Sequence, residues 1–206
     1  MRKVRTLVVA VATVASIGGF SASAMAANVY TVDGSGTTGG TPAKPKAANM
    51  SINFTISSDP PGNLPDVIQK YAISIEGGRI NKAMMDKVPQ CKQSAPSAAQ
   101  SADQCPSASI IGKGNLAAAV GDIGAPIIPA NTCKLPFNLY NISGHRLGLF
   151  ISASQTQCLV PVKQWVIVNV KQVGRTVTTT FSVPANLQQP SPGLFSPVTD
   201  TTFSLK

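Results

Sequence analysis

The chain has 206 residues, a formal net charge of +9 from 17 basic and 8 acidic side chains, and one histidine. Only 12% of residues are charged and 5% aromatic, and no dense basic run occurs, which argues against nucleic-acid binding. A single histidine and a single glutamate leave little material for nucleophilic or metal-dependent catalysis.

Residues 1–26 read as an export signal. Arg2, Lys3 and Arg5 form a positive start, an apolar run follows from Leu7 to about Phe20, and Ala24-Met25-Ala26 offers small residues for cleavage. The apolar run is too short for a stable transmembrane span. Cleavage would leave 180 residues with a net charge of +6, one domain long enough to bury a core. A modest basic excess outside a cell suits contact with anionic envelope polymers or lipid headgroups, and it also serves solubility; the expected partners are such polymers or another secreted protein.

Residues 27–48 are expected to hold a short strand, Asn28 to Asp33, and then a Gly/Thr/Pro/Lys spacer beginning at Gly34. Residues 49–206 are expected to form the folded domain. Ile52, Phe54 and Ile56 alternate with polar residues, as do Tyr71, Ile73 and Ile75 before Gly77-Gly78. Ile80 to Lys87 permits a short helix that Pro89 stops. Ile110 to Val120 reads as a strand rich in small residues, including Gly112 and Gly114. Leu135, Phe137 and Leu139 alternate, then Leu147, Leu149 and Ile151. Trp165 to Val170 runs into a hairpin turn at Val173-Gly174-Arg175, followed by Thr176 to Val183, and Thr201 to Leu205 is the last strand. Prolines such as Pro60, Pro61, Pro126, Pro129, Pro184, Pro190 and Pro192 fall between these runs, where a missing ladder donor costs least. Short strands with Gly/Pro turns predict an all-β fold, an antiparallel β-sandwich of jelly-roll or immunoglobulin-like type.

Cys91, Cys105, Cys133 and Cys158 are even in number and all follow the signal, so two disulfides are expected in an oxidising compartment. Three pairings are possible. Cys91–Cys105 and Cys133–Cys158 are favoured because both loops are short and local, and each closure is worth roughly 3 kcal/mol on the chain-entropy account. The gaps do not have the C-x-x-C spacing of a zinc site.

No catalytic, cofactor-binding or metal-binding residue is assigned. Any serine or cysteine catalytic set would need His145, which stands in Ser143-Gly144-His145-Arg146 with no G-x-S-x-G elbow to accompany it. The acids are separated along the chain, and no D-x-D-x-D calcium loop is present. Gly112-Lys113-Gly114 lacks the remainder of a phosphate loop. Trp165 and the tyrosines Tyr30, Tyr71 and Tyr140 have the rings to stack on a sugar, but three of these four lie in apolar alternation that points to core packing.

Several segments together resemble a family of uncharacterised secreted actinobacterial proteins. They are Tyr30-Thr31-Val32 with its spacer, Pro65 to Ile75, Pro89-Gln90-Cys91, Cys105 to Gly114 in a C-P-x-x-S-x-I-G-x-G pattern, and Cys133 to Asn141. The resemblance covers most of the chain after the signal. It implies export and a β-rich domain in a Gram-positive envelope, and no particular activity. A weaker likeness is to the secreted subtilisin inhibitors of streptomycetes, which also carry two local disulfides. It would place a reactive loop after Cys133, although 48 residues follow Cys158 here. The sequence thus leads to an exported non-catalytic protein that binds or builds at the cell envelope, with a secreted protease inhibitor as the alternative.

Overall fold

The computed structural model describes residues 28–36, 49–92, 101–143 and 146–205. The export signal, most of the spacer and His145 lie outside them. The described residues form nine strands: β1 (Asn28–Gly36), β2 (Met50–Ser58), β3 (Lys70–Glu76), β4 (Ile110–Ala119), β5 (Thr132–Ser143), β6 (Arg146–Ala153), β7 (Val162–Val173), β8 (Thr176–Ser182) and β9 (Val198–Leu205). Each apolar alternation in the sequence became a strand. β1 runs three residues beyond Asp33, through Gly34, Ser35 and Gly36.

All nine strands join one antiparallel sheet in the order β1-β2-β9-β4-β5-β6-β7-β8-β3, rather than two separately hydrogen-bonded layers. The sheet curls into a half-barrel. Tyr71, on edge strand β3, brings its ring within 6.1 Å of Phe54 on β2 near the opposite edge. Phe181 on β8 stacks beneath Tyr71 at 4.9 Å. Three register shifts, at Ile110/Gly112, Ala117/Ala118 and Asn141/Ser143, accompany the bend. Bulges of this kind locally increase twist and bending.

The concave face follows from the register. Directly paired residues share a face, so Phe54, Thr201, Leu116 and Leu135 lie in one row. Ile52, Phe203, Gly114, Phe137 and Ile151 form the next row. The buried cluster of Ala118, Cys133, Leu135, Phe137, Ile151, Ala153 and Val166 fills the hollow. Gly114 is required there. A Cβ at this position would strike the ring of Phe137 and the carbonyl of Thr202. The ring therefore lies over bare backbone.

One end of the hollow is closed by α1 (Lys82–Met85), within the span read as helix-permitting. Met85 packs against Leu139, Leu147 and Val168. Asn81 caps α1 by accepting from the Met84 amide at 3.1 Å. A second short helix, α2 (Ala185–Gln188), has no apolar period long enough to be read from sequence. Leu187 seats it against the main core, and the Asn186 side chain donates to Gln164 Oε1 at 3.0 Å.

Candidate functional site

Both disulfides are the expected ones, Cys91–Cys105 and Cys133–Cys158, with Cα separations of 4.8 and 4.2 Å. No free thiol remains. Cys133 starts β5 and its bond pins the loop after β6, where Lys134 also donates its amide to the Gln157 carbonyl at 2.8 Å. The segment KLPFNLY after Cys133 lies within β5, paired to β4 along its length and to β6 from Phe137 onward. A reactive loop needs an exposed backbone, which this segment does not offer.

The Cys91–Cys105 bond has a different role. It holds the chain against the convex face of the sheet. Cys91, Tyr140, Phe150 and Trp165 form a second buried cluster there, with Ala102, Cys105 and Ile110 beside it. The Trp165 ring centroid is 5.3 Å from Tyr140 and 4.9 Å from Phe150. Gly148 makes room for the indole, because a Cβ on it would come within 2.7 Å of both Trp165 and Ile142. Asn141 ties the incoming chain down. Its side-chain amide donates to the carbonyls of Val88 at 3.0 Å and Met85 at 3.4 Å, and its backbone carbonyl accepts from the Cys91 amide at 2.8 Å. Trp165 and Tyr140 are thus core residues of this cap, not an open sugar platform.

The two remaining tyrosines face the seam between the sheet ends. A slot of about 20 Å³ lies there, lined by Tyr30 and Val32 of β1, Ile52, Phe54 and Ile56 of β2, and Tyr71 and Ile73 of β3. That is room for about one water molecule. Burial, reinforced by the neighbouring Tyr30 phenol, pushes the Tyr71 hydroxyl well above its ordinary range. At the mouth of this seam the Asn28 side chain copies a strand peptide: it accepts from the Asp66 amide at 2.7 Å and donates to the Asp66 carbonyl at 3.0 Å.

The convex face carries the charge. Lys113 on β4, Lys134 on β5, Arg146 on β6, and Lys163 and Lys171 on β7 all alternate with inward residues and are all exposed. β4 to β8 are consecutive in the sheet and contain no Asp or Glu. Each flanking strand brings one carboxylate to this face: Asp200 on β9, opposite Ala117, and Glu76 on β3, opposite Thr176. Lys113, Lys134 and Lys163 surround one cross-strand row of the convex face that runs from Asn115 through Pro136 to Ser152, with Thr202 on β9 just outside it. Thr202 and Asn115 are directly paired, and Ser152 pairs with Lys163.

Among the described residues, no three His, Cys, Asp or Glu side chains gather where they could hold a metal ion. No family model matches the chain, and no curated protein or solved structure does so either.

Proposed function

We propose that this chain is an exported, non-catalytic β-protein that acts by binding, or as a structural component, at or near the cell envelope. One observation carries the reading: the five consecutive strands β4 to β8 present five cations outward and no carboxylate. Burial of the hollow sends charged side chains outward, but it does not choose their sign. A surface built only for solubility mixes both signs. A single-sign face concentrates an attractive field for an anionic partner.

The rest of the molecule is consistent with that role. The four cysteines are committed to disulfides, which suit an oxidising extracellular setting. The half-barrel brings its two ends together at Phe54 and Tyr71. The resemblance of the Cys105–Gly114 segment to secreted actinobacterial proteins supports the same location.

The test is co-sedimentation of the purified protein with isolated cell envelopes across a salt series. Pelleting at low salt and release at high salt is expected, because exposed charges are screened beyond about 10 Å at 0.1 M ionic strength. Recovery in the supernatant at every salt concentration would sink the reading.

A further inference from the structure

We infer that the strip framed by Lys113, Lys134 and Lys163 is a docking surface for a hydroxyl-bearing phosphodiester polymer. This rests on the envelope-binding reading and names the ligand of the same face. Strands about 4.8 Å apart and a rise of about 3.4 Å per residue put the three lysine Cα atoms roughly 12–16 Å from one another. That triangle is too wide for three ammonium groups to close on one phosphate. It also exceeds the Debye length of about 8 Å at physiological salt, so the lysines act as separate docking points. A chain with repeated charges can bridge them.

The residue types narrow the ligand. All three cations are lysines, compact point charges able to hold a phosphate singly, as the lysine of a phosphate-binding loop does. The same cross-strand row carries Thr202, Asn115 and Ser152, with Pro136 between the last two, so amides and hydroxyls able to bond the hydroxyl groups of a polyol backbone lie beside the lysines. The shape narrows it further. The face is convex, so a flexible polymer can follow it while a flat bilayer meets only part of it. No exposed large hydrophobic side chain lies on β4, β5 or β6 to enter lipid; those around the face are Val173 at the far end of β7, Leu159 and Val160 in the loop before it, and Ile123 and Ile128 in the loop before β5.

The experiment titrates the intact protein with poly(glycerol phosphate), and in parallel with polyglutamate and with anionic phospholipid vesicles. Salt-sensitive binding of poly(glycerol phosphate) is expected, weakened roughly tenfold or more in a Lys113→Gln/Lys134→Gln/Lys163→Gln variant. A Lys82→Gln/Lys87→Gln variant, on α1 and the turn after it at the end of the hollow, should bind within about twofold of the parent. Unchanged near-ultraviolet circular dichroism verifies that both variants are folded. Equal binding of polyglutamate, binding of vesicles alone, or an unaffected strip variant would each overturn the inference. Sedimentation with whole envelopes separates the two levels. A protein that pellets with envelopes but ignores poly(glycerol phosphate) refutes the polymer assignment alone, whereas one that never pellets refutes the envelope reading itself.

Discussion

Phe54 and Tyr71 lie near opposite ends of a nine-stranded sheet, yet their ring centroids are 6.1 Å apart. This contact turns an open sheet into a half-barrel. Phe181 extends it into a three-ring stack across β2, β3 and β8. Tyr71→Ala removes the middle ring, and a loss of about 3–5 kcal/mol is expected from cavity formation. Denaturant unfolding measures it. A loss below about 1 kcal/mol would mean that the ends are held by something else.

Tyr71 also predicts the alkaline behaviour of the fold. Its phenol is raised above the model-compound value of 10.0, chiefly by burial. The unfolded chain therefore releases this proton at a lower pH than the folded one. The resulting stability is fully present below about pH 10 and is lost as pH rises from there toward the folded value. Tyr71→Phe should flatten that decline while leaving neutral-pH stability close to the parent. Unfolding curves between pH 8 and 11, a window set by the tyrosine range, give the answer. Parallel declines in parent and variant would assign the effect to other tyrosines.

Gly148→Ala should disturb the cap. The new methyl would sit 2.7 Å from the indole of Trp165 and from Ile142. Overpacking of this kind costs about 1–3 kcal/mol. Trp165 is the only tryptophan in the chain, so its emission reports the site without ambiguity. A red shift with reduced stability is expected. An unchanged spectrum would show that the indole tolerates the methyl.

The two disulfides should separate by the same probe. Replacing Cys91 and Cys105 by serine releases the chain from Tyr140, Phe150 and Trp165, so quenching of Trp165 by iodide should rise along with a loss of roughly 3 kcal/mol. Replacing Cys133 and Cys158 should cost a similar amount and leave the indole shielded, since that bond closes the loop between β6 and β7 on the concave side. Equal quenching in both variants would contradict this division of labour.

Much of the fold was legible because local alternation encodes strands directly. All nine apolar runs became strands, Gly174 takes the left-handed turn between β7 and β8, and local closure favoured the correct cysteine pairs. Strand order was not legible. Whether Tyr71 packs within its own layer or against Phe54 depends on long-range pairing, which period two does not specify. The second helix escaped because four residues cannot display a period. Charge was the subtlest loss. Lys113, Lys134, Arg146, Lys163 and Lys171 look scattered along the chain, yet each stands at an outward position of its strand. The signal was present as a sign bias: no carboxylate occurs in the four strands they occupy or in β8 beside them. It became a surface only when β4 to β8 proved to be neighbours.

The most direct test of the account compares envelope co-sedimentation of the parent with a variant in which Lys113, Lys134, Arg146, Lys163 and Lys171 are all changed to glutamine. The account predicts that the parent pellets at low salt and that the variant, folded and with both disulfides intact, stays in solution. Equal pelleting of the two proteins would contradict it, because the binding would then owe nothing to the convex face.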